Sequence, residues 1–153
     1  MIDPLDAAEL ATLEARLDGL VHDLDESLPA VAGIERGEPG ERRWYARLNG
    51  EEKTNFSVWL TLGQRTLSFE TYFMPAPEEN EAAVFEYLLR RNSKIFGAAF
   101  RIGSEDALYL GGQIDNDAID EASLDRIVGS LYVYTEECFR PAMRLGFASR
   151  FTG

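Results

Sequence analysis

The chain has 153 residues, 45% hydrophobic and 27% charged, a composition that suits one globular domain able to close its own core. Acidic residues outnumber basic ones 27 to 15, a formal net charge of −12, and such a surface repels phosphate backbones and anionic headgroups, so neither nucleic acid nor membrane is an expected partner. No apolar run approaches the ~20 residues that span a bilayer, the N-terminus shows no secretory pattern, and the single cysteine, Cys138, permits no internal disulfide; the expected compartment is the cytoplasm.

The charge is uneven along the chain. Before residue 42, Asp3, Asp6, Glu9, Glu14, Asp18, Asp23, Asp25, Glu26, Glu35, Glu38 and Glu41 face only Arg16 and Arg36, whereas Arg140, Arg144 and Arg150 follow the last acid, Glu137. Solubility and complementarity to helix ends account for this pattern, and it could also steer a partner or a second copy.

Leu10, Leu13, Leu17, Leu20, Val21 and Leu24 recur at helical spacing, predicting an acidic N-terminal helix over about 4–27 with Pro4 near its start. Pro29, Gly33, Gly37, Pro39 and Gly40 then predict a mobile loop over about 29–41. Three strands follow. Trp44, Ala46 and Leu48 alternate with Arg43, Tyr45 and Arg47; Phe56, Val58, Leu60 and Leu62 with Ser57, Trp59 and Thr61; Leu67, Phe69, Thr71 and Phe73 with Ser68, Glu70 and Tyr72. A tight Gly63-Gln64 turn predicts Leu60 opposite Leu67 and Val58 opposite Phe69. A loop over 49–53 predicts Leu48 opposite Thr54, and both turns put the apolar residues on one face.

Pro75 and Pro77 end the third strand, and acids at Glu78, Glu79 and Glu81 precede a helix that buries Val84, Phe85, Leu88 and Leu89. A hairpin from Ala98 to Ile102 and Ala107 to Ile114 turns through Gly103 to Asp106. The last helix begins near Asp120 and buries Leu124, Ile127, Val128, Leu131, Tyr134 or Thr135, and Cys138, with Pro141 expected to kink or end it. The order α-β-β-β-α-β-β-α gives an α+β fold, an antiparallel five-stranded sheet with three helices, in a single domain over 1–153.

Catalytic patterns are scarce. The sequence has no phosphate-cradling Gly-rich loop, no dinucleotide fingerprint and no nucleophile elbow. The single histidine, His22, has only helix-surface acids near it, a poor metal site. Cys138 falls on an apolar stripe, where a thiol is inert. Asp115-Asn116-Asp117 matches a calcium loop for three residues only and reads as a turn capping the last helix. No catalytic residue, metal or cofactor is expected. The second face of the sheet is more informative: Arg43, Tyr45, Arg47, Trp59, Glu70 and Tyr72 interleave aromatics with arginine, the residue types enriched at protein interfaces. A plainer reading is a solvated face whose aromatics pack across strands. Gly97, Gly111 and Gly112 also motivate a pocket between the last helix and the sheet, which would suit a small-ligand sensor or an enzyme.

Several segments occur in a recognisable order: Trp44-Tyr45-Ala46-Arg47-Leu48, then Thr66-Leu67 with Glu70-Thr71-Tyr72-Phe73-Met74-Pro75-Ala76-Pro77, then Tyr87-Leu88-Leu89-Arg90-Arg91-Asn92, the Gly97 segment, the Tyr109 strand and Phe139-Arg140-Pro141. In that order they make a core of about 42–151 that resembles the bacterial YbjN family of sensory transduction regulators, in its actinobacterial form. The resemblance implies a fold like that of type III secretion chaperones, whose members commonly dimerise and bind segments of other proteins. It carries over no catalytic residues, and fold alone does not fix function. The expected function is a non-enzymatic, regulatory or chaperone-like module that binds another protein or protein segment, as a homodimer or in a heteromeric complex.

Overall fold

A computed structural model of the chain describes residues 3–151. Helix α1 spans Ala7–Ser27 and starts three residues after Pro4, because Asp6 supplies a reciprocal cap: its carboxylate accepts from Glu9 N at 2.8 Å, and the Glu9 side chain accepts from Asp6 N at 3.2 Å. Leu10, Leu17, Val21 and Leu24 form its buried face.

The segment expected as a loop over 29–41 instead contains a strand, β1 (Val31–Arg36), so the sheet has six strands and not five. Its register with the next strand shifts between Val31 and Gly33, which hides the two-residue alternation of a strand. Tertiary contacts fix it. The Arg36 guanidinium pairs with Glu14 and Asp18 of α1 and lies 4.5 Å over the Trp44 ring. Gly33 leaves room for the Arg47 side chain, into which a Cβ would run.

Strands β2 (Arg43–Leu48), β3 (Phe56–Leu62) and β4 (Thr66–Met74) form the expected meander. Both predicted registers are displaced by two residues. Leu62 pairs with Leu67 and Leu60 with Phe69, because the turn closes at Gly63 N to Thr66 O, and Leu48 pairs with Phe56, not Thr54. An even displacement keeps every side chain on its face, so the division into apolar and polar faces stands.

Helix α2 (Glu81–Asn92) buries Val84 and Leu88, while Leu89, expected in its core stripe, is 67% exposed. Strands β5 (Ala99–Ile102) and β6 (Leu108–Asp115) form the second hairpin, and all neighbours in the order β1-β2-β3-β4-β6-β5 are antiparallel. At the outer side of β5, the Asn92 side-chain amide accepts from Phe100 N at 2.7 Å and donates to Phe100 O at 3.1 Å, copying a neighbouring strand.

Helix α3 (Glu121–Gly146) is capped by Asp120, whose carboxylate accepts from Ser123 N at 2.7 Å, so the Asp115-Asn116-Asp117 segment is not the cap but leads into a short helical turn upstream, Asn116–Ala118. The helix passes through Pro141 and ends five residues later. Its buried face includes Thr135, not Tyr134. One hydrophobic cluster joins the buried faces of α1, α2 and α3 to Trp44, Leu60, Leu67, Phe69, Phe73 and Leu110 on one side of the sheet. Each such side chain contributes roughly 1.5–3 kcal/mol on burial. Among the described residues all three α-helices pack on that side, and none covers the opposite sheet face.

Candidate functional site

The uncovered face is assembled from every strand, since alternate residues of each point away from the core. Cross-strand pairing sets one row of Glu35, Tyr45, Trp59, Glu70, Gly111 and Ala99. A second row aligns Arg43, Thr61, Ser68 and Gln113. Along the other side, Arg47 sits opposite Ser57, and Tyr109 opposite both Tyr72 and Arg101. All six residues singled out from sequence, Arg43, Tyr45, Arg47, Trp59, Glu70 and Tyr72, therefore share this face. Arg101, Tyr109 and Gln113 join them from the second hairpin. Their signal was the alternation of Tyr109, Gly111 and Gln113 with Leu108 and Leu110.

The aromatics pair edge to face, Tyr45 with Trp59 at 6.4 Å between ring centres and Tyr72 with Tyr109 at 5.5 Å. Burial, reinforced by Tyr109 and Glu105, holds the Tyr72 hydroxyl above the ordinary tyrosine range. Two of the three arginines are neutralised locally: Arg47 meets Glu35 at 3.2 Å, and Arg101 pairs with Glu70. Among the described residues Arg43 has no carboxylate partner, and its Nε donates to the Thr61 hydroxyl at 3.1 Å. Gly111 faces Glu70 so closely that a Cβ there would strike the backbone of β4. A depression of about 520 Å³ on this face is lined by Arg43, Trp59, Thr61, Ser68, Glu70 and Gln113 among others.

At one corner Lys53 reaches under the face. Its ammonium donates to Phe73 O at 2.8 Å and Tyr72 O at 2.5 Å, and lies 5.2–5.7 Å from the centres of the Phe56, Tyr72 and Phe139 rings. Carbonyls and ring faces favour the cation, but burial prevails and lowers the amine to about 8. Sequence reasoning placed Lys53 in a loop and missed it, because the bulged end of β4 that it holds is a tertiary feature.

The other candidates fall elsewhere. His22 is exposed on α1, and among the described residues no group of three or more His, Cys, Asp or Glu could hold a metal. Cys138 is fully buried between α2 and α3 against Tyr87, whose hydroxyl is pushed up to about 12 by burial and by the neighbouring thiol. Gly97 lines a cleft of about 260 Å³ between α3 and the sheet, with Phe69, Ile114, Ile127 and Leu131. Gly111 faces the opposite side of the sheet.

An α+β sandwich with three helices on one face of an antiparallel sheet is similar to the fold of type III secretion chaperones. The ExsC–ExsE complex matches with a TM-score of 0.59 at 18% identity, covering 84% of this chain and 94% of that one. The HopA1–SchA chaperone–effector complex matches at 0.58 with 13% identity, covering 90% and 99%. The heterodimeric ExoU–SpcU complex from the type III secretion system of Pseudomonas aeruginosa matches at 0.50 with 15% identity, over 63% and 81%. These likenesses concern the fold alone.

No family model matches the chain. In sequence it is similar to an uncharacterized protein of Mycobacterium tuberculosis, 31% identical over 102 residues, which are 67% of this chain and 56% of the relative. It is also 27% identical over 110 residues to an uncharacterized protein of Mycobacterium leprae, 72% of this chain and 60% of that one. The chain thus spans little more than half the length of the curated relatives it matches. Among the described residues no helix is long and apolar enough to cross a membrane.

Proposed function

We propose that the chain is a cytoplasmic, non-enzymatic module of the YbjN type that binds another protein or protein segment through the uncovered sheet face, in a chaperone-like manner. The observation that carries this reading is that face itself: Tyr45, Trp59, Tyr72 and Tyr109 interleaved with Arg43, Arg47 and Arg101 and left without a helix. Each ring that a partner covered would contribute on the order of 2 kcal/mol, and aromatic and arginine side chains are the residues that dominate interfaces energetically. The likeness to chaperone–effector complexes supports a protein partner. Homodimers and heteromeric complexes both suit such a face.

The test is recovery of partners from the native host with the wild-type chain, Trp59→Ala and Tyr72→Ala, each variant checked for an unchanged circular dichroism spectrum. Both substitutions are expected to release a partner that the wild type retains. Partners held equally by all three proteins would remove this face from consideration. The second reading, a small-ligand sensor, rests on the cleft beside Gly97; its lining is mostly apolar, with Arg126 and Ser130 contributing polar side chains.

A further inference from the structure

We infer that the depression beside Trp59 is a carboxylate-binding subsite, in which Arg43 receives an acidic side chain from an extended segment of a protein partner. The inference rests on the docking reading above and gives the partner its chemistry.

Arg43 stands apart from the other arginines. Among the described residues it is the half-buried arginine that has no carboxylate: Arg42 pairs with Glu14 and Arg91 with Glu137, whereas the unpaired Arg16, Arg65, Arg126 and Arg144 are exposed to water. Removing a guanidinium from water without a counter-ion is costly, and an incoming anion relieves that cost. The group is also held ready. Thr61 fixes Nε, which leaves the two terminal nitrogens for a carboxylate. Around it stand further hydrogen-bonding groups: the Thr61 hydroxyl, the Ser68 hydroxyl opposite it, and Gln113 opposite Ser68. The Gln113 amide oxygen already accepts from Thr66 at 3.3 Å, which leaves its NH2 to donate. Trp59 forms the adjoining wall, a surface for an apolar neighbour of the acid.

Two charges oppose this assignment. Glu70 lines the same depression, but Arg101 neutralises it. The net charge of −12 also repels anions, yet much of that excess lies on α1, on the far side of the sheet. Packed layers are about 10 Å apart, and the Debye length at physiological salt is about 8 Å. The repulsion at the depression is therefore largely screened. A nucleic-acid strand carries charge well beyond the patch and meets the acidic flanks at Glu38 and Glu41; a short acidic segment of a protein does not.

The two tryptophans give a direct readout. Trp44 Nε1 is tied to Asp18 at 2.8 Å inside the fold, whereas Trp59 lies on the face, so their indole N–H signals in a proton–nitrogen spectrum report the core and the site separately. The probes are a peptide of alternating Glu and Tyr, blocked at both ends, and the same peptide with Gln in place of Glu. The acidic peptide is expected to shift the Trp59 signal and leave Trp44 in place. The Gln peptide, or Arg43→Gln with the acidic peptide, is expected to bind about tenfold more weakly, the loss of one charge-assisted pair. A matching basic peptide and a single-stranded oligonucleotide should leave Trp59 unmoved. Equal affinity for the Glu and Gln peptides would overturn the carboxylate subsite while leaving the docking face intact. A stronger response to the oligonucleotide would overturn the choice of partner. Failure of every probe to move Trp59 would overturn the subsite, and unchanged partner recovery by Trp59→Ala would separately sink the face.

Discussion

Lys53 is a cation held by uncharged groups. Its carbonyl and ring neighbours supply no carboxylate, since Glu52 is engaged by Arg140 at 2.5 Å and Glu136 accepts from Glu52 N at 2.7 Å. Its folded pKa of about 8 lies below the ordinary 10.5. Between these values the unfolded chain keeps a proton that the folded chain has released, so stability rises with pH across that window and the penalty of burying the charge is fully present below it. Tyr87 acts in the opposite sense. Its hydroxyl is raised to about 12 from 10.0, so above pH 10 the folded state holds the extra proton and stability falls. Urea midpoints measured from pH 7 to 11 should therefore rise and then decline, and Lys53→Met should abolish the rise while keeping the decline. A variant whose midpoint still climbed between pH 8 and 10 would show that another group carries the linkage.

Single strands and helices show where local signals suffice. Asp120 caps α3 by accepting from the Ser123 backbone N–H, while the Ser123 hydroxyl accepts from Asp120 N, and hydrogen bonding to Ser123 holds the Asp120 carboxyl below the usual carboxylate range. A depressed carboxylate stabilises the fold at neutral pH and loses that contribution as acid protonates it. Asp120→Ala should lower the thermal midpoint at pH 7 and narrow the difference from wild type as the pH falls toward 3; a constant difference would argue against the cap. At β5, Asn92 occupies the outward N–H and C=O of Phe100, a device that blunts an edge strand. Asn92→Ala should expose those groups, and sedimentation velocity should then show larger species that the wild type lacks at equal concentration. An unchanged distribution would mean that α2 shields the edge without this side chain.

The same elements explain what could be read in advance. The faces of β2, β3 and β4 were legible because alternation survives any even error in register, so Arg43, Tyr45, Arg47, Trp59, Glu70 and Tyr72 could be grouped without a correct turn. Strand β1 was not legible, since an irregular register and the Gly and Pro residues in and around it mask a strand held by its ladder with β2 and by the contacts of Arg36 with α1. Leu89 fits the helical period of α2 and is exposed because the core ends at Leu88 and Phe100. Helical periodicity specifies which residues share a side of α2; what lies against that side depends on the hairpin that arrives later.

On the scale of the whole molecule, the layers separate two kinds of surface. Acidic α1 and the helices form one side, and the aromatic–arginine sheet face forms the other, so a partner meets different chemistry according to its direction of approach. The two margins of the sheet differ as well. On the β5 side, Asn92 occupies the outward groups of Phe100; on the β1 side, among the described residues, the strand is paired only with β2. In the language of polymer chemistry, Asn92 acts as a chain terminator at Phe100: propagation into a fibril requires reactive ends on both sides of every unit, and the Phe100 pair is already spent.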